Sequence, residues 1–409
     1  MDGSIGDLFR DYGEQYIEVF KPPLQHIKVI RSIRICKTPF LGGNKLECKT
    51  CGKERYIYFS CGNSHCPLCQ NDKRLMWQAK VEKKMLNVPY VHGVFTTPKE
   101  LHGLMKTNPR VMYNIVIRAA WNTIKKLCAQ PKNVGGLPGM ICVLHTFGSD
   151  MKYHVHLHSL ITFGGVDEKN GSWRWPVHAK KLASFKEMKR TYRKIFIEMI
   201  LKACKKGELK IIDENDYAST IETIKNKSWN VRMEYPTANV STIQRYLARY
   251  INRVAISKNR LEYVAKKEQT ESYVQIQYKD YNRQEKGEAA PMASRKIDSL
   301  VAIGKFMQHI LPPYCQKSRY YGLHSASIFK RLKDKIPKEI VKNGQTVKKL
   351  FELLRHLNGL DGYKCDECEG EEFDVEEIRP QRRWIYKFLK IPENRGPPRK
   401  ITTKLSSIE

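Results

Sequence analysis

No stretch of the 409 residues approaches the about 20 consecutive apolar positions that a membrane-spanning helix needs, so no membrane is expected among its partners. Acidic residues are scarce: 42 Asp plus Glu stand against 73 Lys plus Arg, a formal net charge of +31. That excess is spread along most of the sequence. It favours a nucleic-acid partner over a small acidic substrate. The opening residues MDGSIGDLFRDYGEQY carry early acids and no apolar core of a secretory signal, so an intracellular, cytoplasmic protein is expected. In a reducing compartment the 12 cysteines read as thiols and metal ligands rather than disulfides. A repeat of fixed period is also lacking, which excludes a solenoid, and the length suits two or three domains.

Several of the cysteines are paired. Cys48-x2-Cys51 and Cys66-x2-Cys69, with 14 residues between the pairs, have the spacing of a four-thiolate structural zinc site. Free thiols would not explain that pairing. Cys36, Cys61 and His65 lie close by, and either replace one ligand or build a second site; spacing does not decide. Cys365-x2-Cys368, inside the acidic run from Asp361 to Glu377, is either a half-site completed elsewhere or a pair of free thiols. Lys45, Lys49, Lys53, Arg55, Lys73 and Arg74 surround the knuckles, interleaved with Tyr56, Tyr58 and Phe59. Cations mixed with rings suit a phosphate backbone and exposed bases.

The stretch from Tyr153 to Ile161 (YHVHLHSLI) alternates and reads as a strand ending at Gly164-Gly165. Side chains two apart share a strand face, so His154, His156 and His158 project together, a grouping that suits a divalent metal. Met140 to Phe147 (MICVLHTF) is an apolar strand, and a turn at Gly148-Ser149-Asp150 joins the two as a hairpin. His145 is then either a third ligand or a buried, hydrogen-bonded side chain. Helices are expected over residues 5–35 (broken at Pro22-Pro23), 76–86, 109–129, 182–206 and 300–311. Further strands are expected over 91–98, 229–235 and 273–281. Residues 282–296 read as a loop, Arg319-Tyr320-Tyr321-Gly322 as a turn, and the basic, Pro-rich tail beyond Arg379 as disordered without a partner.

A last helix opens at residue 241, with Ser241 and Gln244 spaced as a capping box. Ile243, Leu247, Tyr250, Ile251 and Val254 form its apolar stripe. Arg245, Arg249 and Arg253 recur every four residues on a neighbouring edge. At 100° per residue Tyr246 falls between stripe and Arg edge, with Tyr250 one turn along. Tyrosines at this spacing are ordinarily core aromatics. Beside an Arg row, in a chain with a His-x-His strand, they are also candidate nucleophiles.

These pieces support one chemistry. A metal polarises a phosphodiester and neutralises the charge that builds on it. A tyrosine hydroxyl attacks phosphorus, leaving a 5′-phosphotyrosine and a free 3′-hydroxyl. Two tyrosines allow two cleavages, or a cleavage and a strand transfer. The arginines would hold phosphates in line, on a single strand or a melted hairpin.

Several segments in this order carry a family resemblance: the knuckles with Ser60-Cys61-Gly62-Asn63-Ser64-His65-Cys66-Pro67-Leu68-Cys69-Gln70, then Phe95-Thr96-Thr97-Pro98-Lys99-Glu100-Leu101. Leu144-His145-Thr146-Phe147-Gly148, His154-Val155-His156-Leu157-His158, Tyr246-Leu247-Ala248-Arg249-Tyr250, Arg253-Val254-Ala255-Ile256-Ser257 and Arg319-Tyr320-Tyr321-Gly322 follow. From about Cys36 to Gly322 the chain resembles HUH-type (His-hydrophobe-His) transposases of the IS91 kind. The resemblance implies His156 and His158 as metal pair, Tyr246 and Tyr250 as nucleophiles, and Cys48, Cys51, Cys66 and Cys69 as zinc ligands. It also implies an antiparallel sheet flanked by helices. The expected protein is α+β: a helical lead-in and four-cysteine zinc module over 1–85, a catalytic domain over 86–330, and over 331–409 a helical region with the acidic Cys pair and basic tail. Zn²⁺ is the expected structural ion, Mg²⁺ or Mn²⁺ the catalytic one, and single-stranded or hairpin transposon ends the expected DNA. Two rivals stand: a rolling-circle replication initiator or relaxase with the same chemistry, and a non-catalytic zinc-dependent nucleic-acid-binding protein.

Overall fold

Helix α1 (Ile5–Phe20) starts where Ser4 can cap it. The Ser4 hydroxyl accepts from the amides of Gly6 and Asp7, and the Asp7 carboxylate accepts from the Ser4 amide. Such a reciprocal cap contributes about 1 kcal/mol. Lys21 leaves the helix at φ 43°, and Pro23, with no N–H to continue the ladder, precedes α2 (Leu24–Ile35). The structure, a computed structural model, describes residues 3–69, 77, 81, 84–237, 255–256, 260–265, 271–280, 283–285, 288–341 and 364–380. The chain divides into two compact units, each gathered from separate stretches: Met1–Lys73, Ile256–Ile310 and Lys349–Glu409 in one, Arg74–Ala255 and Leu311–Lys348 in the other.

In the first unit, β1 (Gly43–Cys48) and β2 (Glu54–Tyr58) form a hairpin, and β13 (Phe373–Ile378) adds antiparallel to the other edge of β1. A second antiparallel sheet has the order β11-β10-β9, from β9 (Leu261–Val264), β10 (Tyr273–Lys279) and β11 (Met292–Asp298). Residues 292–296, expected in a loop, are therefore strand. Met292-Ala293-Ser294-Arg295-Lys296 has little apolar alternation of its own, and the strand is made by pairing with β10. Helix α7 (Ser299–Met307) follows, and its Phe306 meets Phe9 of α1 edge to face at 5.5 Å. Tyr263 of β9 donates its hydroxyl to Asp11 at 2.7 Å.

The second unit is built on a five-stranded antiparallel sheet of order β12-β4-β5-β3-β8. Its strands are β3 (Tyr90–Thr96), β4 (Gly139–Phe147), β5 (Tyr153–Thr162), β8 (Val231–Met233) and β12 (Ser318–Gly322). A small pair, β6 (Gly165–Val166) and β7 (Trp173–Arg174), stands beside it. Strand alternation sorts the side chains. Phe95, Cys142, Leu144, Val155 and Leu157 join the core made with α4 (Pro109–Cys128) and α5 (Phe185–Lys205). Tyr90, Ile141, Val143 and Leu160 face the other way, into a cluster with Leu323 and with Leu332 of α8 (Ala326–Leu332). The histidines at alternate positions belong to this second face. The short α3 (His102–Thr107) precedes α4. Helix α6 (Glu214–Asn226), not foreseen from the sequence, is capped by Asp213 and buries only Ile221 and Ile224.

Arg319-Tyr320-Tyr321-Gly322 is edge strand rather than turn. Tyr321 stacks on Trp121, and Tyr320 accepts a hydrogen bond from the Trp77 indole. Gly322 ends the strand at φ 55°, where a Cβ would sit 1.9 Å from the Pro138 carbonyl oxygen. Only glycine fits there.

Candidate metal centres

The hairpin register places His145 of β4 directly opposite His156 of β5. One donor nitrogen each from His145, His156 and His158 lies within 4.8 Å of the others. Between His145 and Phe147 the pairing slips, two steps on β4 facing three on β5. A bulge of this kind re-aims the neighbouring side chains. The His145 ring stacks on Phe147 with centroids 4.9 Å apart and meets His156 and His158 edge to face. His145 and His158 are buried and His156 half-buried, so the group opens to one side. His154 shares the strand face, its ring centroid 5.0 Å from that of His156, but is not one of the three donors. Burial pushes the His154 imidazole pKa down.

The polar contacts of the rings fit a cation. His156 Nδ1 lies 3.0 Å from the His154 carbonyl oxygen, which accepts its proton and leaves Nε2 as the nitrogen offered to a metal. His158 Nδ1 lies 3.1 Å from Nε2 of His92 on β3. His92 Nδ1 in turn approaches the Glu234 carboxylate at 3.3 Å, an electrostatic contact that is off-line for a hydrogen bond. If the carboxylate holds the proton on His92 Nδ1, His92 Nε2 accepts from His158 Nδ1, and His158 Nε2 also faces a cation. Carboxylate–histidine chains behind a ligating histidine set its tautomer and orientation. His92 and Glu234 were not singled out in the sequence. The available signal was the position of His92 in the apolar strand Val91-His92-Gly93-Val94, in register with Leu160 of β5.

The thiols gather differently from the expected single site. Cys66 and Cys69 group with Cys36 and Cys61, whereas Cys48 and Cys51 group with Cys365 and Cys368; within each set the sulfurs lie within 4.8 Å of one another. The single set Cys48, Cys51, Cys66 and Cys69 is thus corrected to two sets of four. A Cys-x2-Cys knuckle places two sulfurs on one side of an ion, but its spacing says nothing about which knuckle or cysteine completes it. His65 belongs to neither set among the described residues. In the first set the Cys36 sulfur, above all, pushes the Cys61 and Cys66 thiols up. In the second, the Cys51 amide leads in drawing Cys48 down to about 6. Such thiol clusters fit structural zinc, whose charge allows the sulfurs to sit together as thiolates.

Tyr246 and Tyr250, with Arg245, Arg249 and Arg253, lie outside the described residues. No helix among the described residues is long and apolar enough to cross a membrane.

Comparison with known proteins finds two families that match this chain. The family described as "Transposase zinc-binding domain" matches residues 8–97, and the one described as "Putative transposase" matches residues 139–331. Among curated proteins, "Putative transposase y4qJ" of Sinorhizobium fredii is 29% identical over 330 residues, covering 78% of this chain and 79% of that protein. "Transposase for insertion sequence element IS801" of Pseudomonas savastanoi pv. phaseolicola is 23% identical over 354 residues, covering 84% and 81% respectively. No solved structure matches. With a zinc-binding domain ahead of a transposase region, and transposases as relatives along most of its length, the chain is similar to the IS91-type transposases.

Proposed function

We propose that this transposase nicks and rejoins single-stranded or hairpin DNA at transposon ends through a 5′-phosphotyrosine, in rolling-circle-like transposition. The observation that carries the reading is the group of His145, His156 and His158 on one face of an antiparallel sheet. Three convergent imidazoles, two of them with Nδ1 engaged, are a donor set for a divalent metal. Bound there, Mg²⁺ or Mn²⁺ would supply polarisation of the scissile phosphodiester and neutralisation of its developing charge.

The remaining work falls to the side chains. The Tyr246 hydroxyl loses its proton and forms the new bond to phosphorus, while the bond from phosphorus to the 3′ oxygen breaks. That oxygen leaves as a 3′-hydroxyl, and the 5′ end stays on the protein. Attack by the freed 3′-hydroxyl of another strand reverses the step and restores the tyrosine. Tyr250 takes the second strand. Arg245, Arg249 and Arg253 hold the phosphates in line. The family match favours a transposase over a replication initiator with the same chemistry.

A single-stranded substrate with a bridging phosphorothiolate at the cleavage site tests this, because the sulfur leaving group cannot rejoin efficiently and the adduct accumulates. The wild type should become covalently labelled. Tyr246→Phe should trap much less, Tyr250→Phe should trap but fail at complete transposition, and the double variant should trap nothing. An adduct that persists in the double variant would move the nucleophile elsewhere. Its absence from the wild type would leave a non-catalytic DNA-binding protein.

A further inference from the structure

Strand β1 ends in Cys48 and turns through Cys48-Lys49-Thr50-Cys51-Gly52-Lys53 into β2. In that turn Gly52 takes φ 70°, its amide donates to the Cys48 carbonyl at 2.8 Å, and the Cys48 amide donates to the Lys53 carbonyl at 3.0 Å. The turn ahead of β13, Cys365-Asp366-Glu367-Cys368-Glu369-Gly370, repeats it. Glu369 takes φ 58°, its amide donates to the Cys365 carbonyl at 2.9 Å, and the Cys365 amide donates to the Gly370 carbonyl at 2.9 Å.

Two turns of one kind therefore face each other across a chain separation of 314 residues, with Cys51 Sγ 3.4 Å from Cys365 Sγ and Cys48 Sγ 3.6 Å from Cys368 Sγ. These contacts are far too long for disulfides, whose sulfurs lie about 2.05 Å apart. They approach the spacing of about 3.8 Å that a tetrahedron with Zn–S bonds of about 2.3 Å imposes. Gly370 leaves room beside them: a Cβ there would come within 3.3 Å of Cys368 Sγ and 3.4 Å of Cys48 Sγ. Glu369 is a non-glycine residue held in the left-handed region, which is uncommon and persists where surrounding contacts impose it.

We propose that Cys48, Cys51, Cys365 and Cys368 hold a structural zinc ion of their own, separate from the Cys36, Cys61, Cys66 and Cys69 set. The zinc clamps residues 364–378 onto the β1–β2 hairpin, making β13-β1-β2 a zinc ribbon assembled from two distant parts of the sequence. Neither family match includes Cys365 or Cys368, since the two end at residues 97 and 331. The ion pairs of Lys53 with Glu367 at 2.6 Å and Lys49 with Glu372 at 3.6 Å are exposed. Exposed pairs contribute little and are screened by salt, so they help set the register of β13 but do not hold it. Zinc bound by all four sulfurs does.

The test is zinc stoichiometry on the full chain after dialysis against EDTA to clear weakly held metal, with an organomercurial releasing thiolate-bound zinc to a colorimetric chelator. Two zinc ions per wild-type chain are expected, and one in Cys365→Ser/Cys368→Ser. One ion in the wild type, or two in the variant, would overturn the proposal. If the variant loses both ions through misfolding, alkylation of the wild type decides. Cys365 and Cys368 should resist iodoacetamide in the zinc-loaded chain and react once zinc is stripped, whereas the half-buried Cys204 should react alike in both. Reaction of Cys365 and Cys368 at equal rates with and without zinc would overturn it.

Discussion

The arrangement behind His158 allows the proposed metal site to be tested without touching a ligand. His92 stacks on His158 with ring centroids 5.4 Å apart and planes inclined by 16°, and its Nε2 lies 3.1 Å from His158 Nδ1. His92→Phe keeps the flat ring and much of the packing but removes both nitrogens. His158 Nδ1 then loses this partner, and the imidazole is no longer held in the tautomer that presents Nε2. Losing such an outer partner costs about 10–100-fold in metal affinity, equivalent to about 1.4–2.8 kcal/mol. The assay is calorimetric titration of Mn²⁺ into EDTA-treated chain that retains its thiolate-bound zinc, with thermal unfolding run beside it. His92→Phe should weaken Mn²⁺ binding by at least tenfold with little change in melting temperature, and saturating Mn²⁺ should recover most of the nicking rate. Glu234, 40% exposed at its side chain, acts through one more atom pair in a wetter setting. Glu234→Gln should therefore cost only a few-fold. His92→Gln, which restores an amide acceptor near the lost nitrogen, should recover part of the affinity. Mn²⁺ affinity in His92→Phe within twofold of wild type would refute the reasoning.

Other substitutions bear on separate links. His156→Ala or His158→Ala should abolish cleavage yet leave single-strand binding within about twofold by fluorescence anisotropy, because affinity rests on Lys and Arg; a parallel loss of binding would mean that the histidines hold the fold. Imidazole donors suit transition metals better than Mg²⁺, so Mn²⁺ should support nicking at lower concentration than Mg²⁺ in a titration of rate against metal; the reverse order would point to a different ligand set. Burial, against an opposing hydrogen bond to the Lys84 carbonyl, holds His324 at about 4. Its folded value lies below the unfolded value of about 6.5, so its contribution is whole above pH about 6.5 and is lost as pH falls toward 4. By pH 5 the loss is about 2 kcal/mol. Urea unfolding between pH 7 and 5 should show this slope, and His324→Phe should flatten it; an unchanged slope would place the titration elsewhere.

The histidine strand was legible because period-two alternation survives in YHVHLHSLI, and because a turn at Gly148-Ser149-Asp150 leaves β4 and β5 little choice of register. The direct pairing of His145 with His156 was not legible, because it depends on the bulge between His145 and Phe147 that shifts the register by one residue. Helices α1, α2, α4 and α5 were legible by the same kind of local periodicity. Helix α6 was not, since two buried isoleucines in a polar stretch give no stripe. Strands β11 and β12 were not either, because each exists by pairing with a neighbour, β10 for one and β4 for the other. The partner, not the strand's own composition, makes such a segment extended.

The cysteines carry that distinction further. Spacing along the chain reports which thiols share a turn, because two sulfurs three residues apart are placed by the same few backbone torsions. It cannot report which turns share an ion, since that depends on where separate segments meet. Cys48 and Cys51 lie only 14 residues from the next pair, so proximity in sequence argued for joining them. The fold instead brings in β13, whose backbone pairs with β1 from Gly43↔Ile378 to Cys48↔Phe373, and that pairing delivers Cys365 and Cys368 to the mouth of the first knuckle. Cys66 and Cys69, left without that partner, close with Cys36 and Cys61. The acidic run that made Cys365 and Cys368 look like an isolated pair is what a basic hairpin selects: Lys49 and Lys53 meet Glu372 and Glu367 there. Charge complementarity between two distant segments was present in the sequence. It became a ligand assignment only once the β1–β13 register put the two knuckles face to face.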